Sequence, residues 1–261
     1  MANRKSKTVA VIQARMGSRR FPGKSLARLH HQPVLAWVVD RARGASRVDQ
    51  VVVATTRDRL DDPLAAWCRS NNIPVVRGAT DDVLQRYAEA TRAYDADFVV
   101  RLTADCPMIP STLIDDVIEH CHDDRGLDYC SSHEPPTFPE GLSAECVPRR
   151  VMEWLDEHVT STFEREHVLL HARLRPEMFR CAGVEVHPPL SHIRLTVDYP
   201  DDLIGLGQVA AELERSAQLD TPTLDRLVEI WEARADIRET MSQHERDLWR
   251  REAERQRRRS A

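Results

Sequence analysis

Val9-Ala10-Val11-Ile12-Gln13-Ala14-Arg15-Met16-Gly17-Ser18-Arg19-Arg20-Phe21-Pro22-Gly23-Lys24 is the stretch from which the fold can be read. Its opening, VAVIQA, is a continuous apolar run of strand length, as expected of a strand buried on both faces. The next part, Ala14 to Lys24, combines two glycines, a hydroxyl and four cations. Glycine lets backbone N–H groups approach an anion closely, and Arg and Lys supply charge-assisted contacts to phosphate oxygens. Ligands of open α/β sheets bind beyond the carboxyl ends of the strands. The loop therefore reads as a triphosphate site, with a solvated basic loop as the plainer alternative.

Outward from this stretch the pattern repeats. Strands are predicted at Val51–Ala54, Pro74–Arg77 and Phe98–Leu102. Helices are predicted at Pro33–Arg43, Pro63–Ser70, Asp82–Tyr94 and Ser111–His122, the last with Ser111 as N-cap. Apolar strands alternating with amphipathic helices predict an α/β fold, an open and mostly parallel sheet with helices on both faces. The rhythm breaks over residues 131–192, which carry seven prolines and short strand-like pieces such as Arg180–Val186. That segment reads as an inserted lid or dimerisation element. Ile193–Val197 reads as a returning strand and Asp201–Ala217 as a helix. Residues 1–206 are thus expected to form the main domain, and 207–261 a helical C-terminal extension.

Two familiar phosphate loops do not fit. No GxGxxG is present, and Gly17 to Ser25 departs from a Walker A loop by having five residues between its glycines. Pro22 also removes a backbone donor that such a loop needs.

The string IQARMGSRRFPGK resembles the opening motif of the spore-coat-polysaccharide cytidylyltransferase family, related to the acylneuraminate and 3-deoxy-manno-octulosonate cytidylyltransferases. The resemblance continues through VVVATT (51–56), VVRGATDDVLQRY (75–87), VVRLTADCPMI (99–109), FPEGLSAE (138–145), FEREHV (163–168) and LSHIRLTVDYPDDL (190–203). It implies a nucleotide-diphospho-sugar transferase-like fold, a homodimer, and transfer of CMP from CTP to an acidic or unusual sugar with release of pyrophosphate.

Asp105 in TADCP and Asp198 in TVDYP each follow a predicted strand, so both are expected on the sheet edge that carries the phosphate loop. Carboxylates there suit Mg²⁺, which is held by one or two carboxylates plus substrate phosphates. The resemblance implies the same role; a turn residue or helix N-cap is the alternative for each. Arg15 and Lys24 are the expected phosphate contacts, with Ala14, Gly17 and Ser18 beside them. Thr103 stands where sialic-acid and octulosonate relatives carry a glutamine that helps read cytosine. Arg77 and Arg101 are base-side candidates, or else ion-pair partners of Asp81, Asp82 or Asp97. Glu140, Glu145, Arg165, Glu166 and His167 are expected at the sugar or at a dimer interface, and His167 is a candidate to deprotonate the attacking hydroxyl. Relatives commonly read GLDVE where this chain has Gly141-Leu142-Ser143-Ala144-Glu145, so Ser143 replaces an aspartate.

Bulk properties fit a globular protein. The chain has 261 residues, is 41% hydrophobic and has a net charge of −5, which gives no general attraction to nucleic acid. No span approaches the roughly 20 apolar residues a membrane helix needs. No signal peptide is visible, and six scattered cysteines without a CxxC pair fit free thiols, so a cytoplasmic protein is expected. His120, Cys121, His122, Cys130 and His133 lack the spacing of a zinc site. The basic run Arg246–Arg259 is interleaved with glutamates, as in a solvated helix. Every motif precedes about Arg238, so a chain cut there is expected to bind nucleotide. The competing readings are the same fold using another nucleoside triphosphate or acting as a glycosyltransferase, and a non-catalytic scaffold or coat-associated protein.

Overall fold

A computed structural model describes residues 5–124 and 126–241. Along the chain run β1 (Thr8–Gln13), the small hairpin β2 (Arg28–Leu29) and β3 (Gln32–Pro33), α1 (Val34–Gly44), β4 (Gln50–Thr56), α2 (Asp62–Ser70), β5 (Val75–Gly78), α3 (Val83–Ala93) and β6 (Phe98–Thr103). Then come α4 (Ser111–Asp123), β7 (Tyr129–Ser131), β8 (Glu145–Pro148), α5 (Arg149–His158), α6 (Thr162–Glu166), α7 (Leu170–Arg173), β9 (Cys181–Gly183), α8 (Pro200–Arg215), α9 (Leu224–Ala233) and α10 (Ala235–Met241).

One seven-stranded sheet has the order β5-β4-β1-β6-β8-β7-β9. The first four are mutually parallel, with Val11 opposite both Val52 and Arg101. Alternation along the strands sorts the core. Val9, Val11, Val52, Ala54 and Val99 pack with Tyr87, Val151, Leu155 and Leu169 on one face. Ala10, Ile12, Val51, Val53 and Leu102 pack with Leu35, Val117, Leu206 and Trp231 on the other. Period-2 side chains buried on both faces are what a parallel sheet under two helical layers demands.

The inserted residues 131–192 supply short strands to the sheet: β8 pairs antiparallel with β6 and β9 pairs with β7. Two local expectations change. Ser111 is not the N-cap of α4; Pro110 takes that place, and the Ser111 hydroxyl donates to the Arg41 carbonyl at 2.8 Å. Ile193–Val197 is no sheet strand. Its backbone bonds instead to two loops: Glu140 N–H to Ile193 O at 2.9 Å, Leu195 N–H to Glu140 O at 2.6 Å, and Val197 N–H to Asp105 O at 2.9 Å. Gly141 permits this close approach, with φ at +98°; a Cβ there would stand 2.5 Å from the Leu195 carbonyl carbon. The basic run Arg246–Arg259 lies outside the described residues.

Candidate active site

β1 and β6 are parallel neighbours, so the loops leaving both lie at one edge of the sheet. After Gln13 the chain turns at Ala14, whose N–H donates to Ala54 O at 3.0 Å. The loop is held from below by Asp61, which accepts the Met16 N–H at 2.7 Å and is tied to Thr56 through its other oxygen. Gly23, with φ at +79°, closes the loop by donating to Met16 O at 2.8 Å. Arg15 and Gly17 are exposed on the loop and Ser18 is half-buried. A Cβ added to Gly17 would meet nothing within 4 Å. Its lack of a side chain is therefore not required by packing.

The closing turn aims Lys24 inward. Its ammonium lies 2.8 Å from Asp105 Oδ2, 3.0 Å from Asp198 Oδ1 and 2.7 Å from the Val197 carbonyl. Burial acts to raise the Asp105 pKa, yet the Lys24 charge and hydrogen bond hold it down at about 2. Burial likewise acts to lower the Lys24 pKa, and the two carboxylates overcome it and raise it. Asp105 and Asp198 are joined by backbone: Val197 N–H and the Thr196 hydroxyl both donate to Asp105 O. The expected convergence of the two aspartates is thus present, though Asp198 reaches it from the 193–197 segment rather than from a sheet strand.

Beside this cluster opens a cavity of about 320 Å³, lined among others by Thr103, Asp105, Glu140, His167, Thr196 and Asp198. On its far side the Arg173 guanidinium donates to His133 Nε2, because a guanidinium can only donate. That assigns the His133 proton to Nδ1, which donates to Ser143 Oγ at 3.0 Å. The missing aspartate at 143 is therefore replaced by a neutral hydroxyl held by a histidine.

Several expected residues lie elsewhere. Arg77 does not line the cavity; it pairs with Asp62 at 2.7 Å and donates to Thr56 O and Asp58 O, rather than meeting Asp81, Asp82 or Asp97. Arg165 clamps α3 to α5 by pairing with Asp82 at 2.7 Å and Asp156 at 2.9 Å. Glu145 is buried under the cavity, ion-paired with Arg101 and accepting from Tyr129 at 2.8 Å. Burial acts to raise the Glu145 pKa, and Arg101 brings it down to about 2. Glu166 faces Arg15 across 3.8 Å at the exposed rim. His167 is held below the usual histidine range, by burial first and by the Arg101 charge second. The histidines and cysteines weighed for zinc form no metal-holding group among the described residues: His122 packs against the Phe98 ring and meets the Thr8 hydroxyl, while Cys121 and Cys130 are buried in the core.

Sequence reasoning missed Arg20, whose Nη2 reaches Asp198 Oδ1 at 2.6 Å, and also Arg173, Arg194, Asp61 and Asp202. Arg20 and Arg194 stand inside the quoted motifs, but nothing in a linear string shows which carboxylate each one meets.

Residues 9–235 match the protein family described as Cytidylyltransferase. The spore coat polysaccharide biosynthesis protein SpsF of Bacillus subtilis is 32% identical over 201 residues, covering 74% of this chain and 81% of that protein. A 3-deoxy-manno-octulosonate cytidylyltransferase of Pelobacter propionicus is 35% identical over 121 residues, 45% of this chain and 46% of that protein. Among solved structures, a cytidylyltransferase from Leptospira borgpetersenii serovar Hardjo-bovis superposes with a TM-score of 0.83 at 28% identity, covering 89% of this chain and 96% of that one. With a match that runs from β1 through α9 and spans both aspartates, this chain belongs to the cytidylyltransferase family.

Proposed function

We propose that this protein transfers CMP from CTP to the hydroxyl of an acidic or otherwise unusual sugar, releasing pyrophosphate. The observation that carries this reading is the convergence of Asp105 and Asp198 on one cationic group, with the 14–24 loop on one side and the cavity on the other. Relatives named for octulosonate transfer and for spore-coat polysaccharide synthesis support the sugar acceptor.

The donor set fits a hard divalent cation. Both carboxylates and the Val197 carbonyl direct oxygen at the position of the Lys24 ammonium, and Mg²⁺ binds through one or two carboxylates plus phosphates. Asp105 and Asp198 would hold it. Bound there, such an ion neutralises charge on the phosphates and the departing pyrophosphate. Arg15, Lys24 and the Gly17–Ser18 backbone bind the triphosphate from the loop. Thr103 faces the nucleobase and Glu140 orients the sugar, whose anomeric oxygen attacks the α-phosphorus in line as the bond to the β-phosphate oxygen breaks. The hydroxyl proton is lost to an acceptor, and His167, which lines this cavity and whose burial favours its neutral form, takes that role. The protein's own contribution is positioning and charge neutralisation.

Homodimer assembly is part of the proposal, by resemblance. So is action in the cytoplasm, supported by six unpaired cysteines and by the absence of a membrane-length apolar helix among the described residues.

The test is to incubate the protein with each nucleoside triphosphate, Mg²⁺ and a panel of sugar acids while following pyrophosphate. CTP is expected to be preferred, and to raise the melting temperature most. Preference for another triphosphate would overturn the cytidylyl reading alone; no pyrophosphate with any pair would favour the non-catalytic scaffold.

A further inference from the structure

Arg194 is 2% exposed and its guanidinium is shared among three carboxylates. Nη1 donates to Glu140 Oε1 at 2.9 Å. Nε and Nη2 grip Asp202 from two sides, at 3.3 and 2.8 Å. Nη2 also lies 3.4 Å from Asp198 Oδ2. Asp202 is itself fixed, because its Oδ2 accepts the backbone N–H of Asp198 at 2.8 Å and of Tyr199 at 2.9 Å. The guanidinium therefore rests on an anchor at the start of α8 and reaches from it toward two working carboxylates.

The two oxygens of Asp198 are divided by this arrangement. Oδ2 faces Arg194, while Oδ1 faces Lys24 and Arg20 at 3.0 and 2.6 Å. A carboxylate turns easily about its last bond, and a cation bound through one oxygen requires that turn to be stopped. Arg194 stops it from behind. Its other arm holds Glu140, which lines the cavity from the loop where Gly141 lies against the Leu195 peptide.

We infer that Arg194 is a positioning residue that presents Oδ1 of Asp198 to the divalent cation and keeps Glu140 at the sugar cavity in register with it. The inference rests on the metal-dependent reading of the site given above. It needs the planar fork: a lysine at 194 keeps the charge but offers one point where three carboxylates now meet a guanidinium.

The experiment measures Mn²⁺ binding by electron paramagnetic resonance, with CTP present, for the full chain and for Arg194→Lys. The unfolding temperature of each is recorded alongside. The variant is expected to bind Mn²⁺ about tenfold more weakly and to turn over about a hundredfold more slowly, with CTP affinity in the absence of metal changed less than threefold. Loss of thermal stability with unchanged Mn²⁺ affinity would overturn the inference and leave Arg194 a purely structural ion-pair partner. Asp202→Asn is the second variant, needed if Arg194→Lys fails to fold. It keeps an acceptor for both backbone N–H groups and loosens only the guanidinium. Its Mn²⁺ affinity is expected to fall several-fold, and an unchanged value would again overturn the inference. A wild-type protein that binds no Mn²⁺ with any triphosphate would remove the metal reading itself, and this inference with it.

Discussion

The Lys24 ammonium lies 2.8 Å from the Asp105 carboxylate, and it shares Asp198 at 3.0 Å, so a lysine of the phosphate loop occupies the point where the two acidic residues meet. On the proposed reading, a divalent ion and this ammonium would compete for one place. Delivery of the ion with a triphosphate would resolve the competition, because the phosphates would give Lys24 somewhere else to go.

Lys24→Met is therefore expected to bind Mn²⁺ in the absence of nucleotide roughly tenfold more tightly than the wild type, a difference of about 1.4 kcal/mol. The same variant should lose more affinity for CTP than for CMP, since the contact removed is charge-assisted and worth roughly 1.5–3 kcal/mol. Equal Mn²⁺ affinity in both proteins, measured by titration, would show that the lysine does not obstruct the ion.

Asp105→Asn and Asp198→Asn keep size and turn geometry while removing charge. Each is expected to lower kcat by at least about a hundredfold, and the double variant by scarcely more, because residues acting as one unit are non-additive. Near-normal turnover of either variant at saturating Mg²⁺ would make that aspartate a turn residue and nothing else.

Glu145 contributes to acid stability. Its pKa in the fold is about 2, below the roughly 4.3 of a free glutamate. The stability it contributes is complete above about pH 4.3 and is lost as pH falls toward and through 2. Glu145→Gln should cost about 3–5 kcal/mol at neutral pH by leaving Arg101 buried without its partner. Urea unfolding at pH 7 and pH 3 should then show a smaller difference for the variant than for the wild type.

Met241 and Ile237 are fully buried, and Met241 packs so closely on α8 that a Cβ at Gly205 would lie 2.5 Å from its Cγ. A chain ending at Arg238 keeps every motif but loses Met241, so its unfolding free energy should drop by about 2–5 kcal/mol. A chain ending at Ser242 should match the full-length melting temperature if the remaining tail adds nothing to the fold. The cut that spares stability is thus expected beyond Met241, while nucleotide binding is still expected of the chain ending at Arg238.

The parallel half of the sheet was legible because strands such as that over Val51–Ala54 are uninterrupted apolar runs, as burial on two faces demands. β8 was not, since it begins with a glutamate. Hydropathy cannot show that Glu145 is neutralised by Arg101 on the neighbouring strand. Ile193–Val197 misled in the opposite direction: Ile193, Leu195 and Val197 alternate as buried apolar residues, but the segment's backbone partners are loops brought close by Gly141. Asp105 could be placed because a residue just past a parallel strand has only one edge to occupy, whereas Asp198 reaches the same edge from a segment that is no strand of the sheet. The partners of Arg77, Arg165 and Arg194 depend on long-range distances, and a cation's choice among several nearby carboxylates leaves no periodic trace.

Strand β8 runs against β6, and the two are joined through backbone from Phe98–Pro148 to Arg101–Glu145. Most of the residues assigned to the nucleotide precede this junction, whereas His133, Ser143, His167 and Arg173 of the cavity wall follow β6 in the stretch that carries β7 to α7. Main-chain bonds hold this seam whatever side chains flank it, but the Arg101–Glu145 ion pair buried across it fixes two of them. On the proposed reading, the acceptor pocket could be rewritten as one contiguous cassette while the triphosphate loop stays as it is, with the short 191–198 strap and the Arg101–Glu145 pair obliged to fit both.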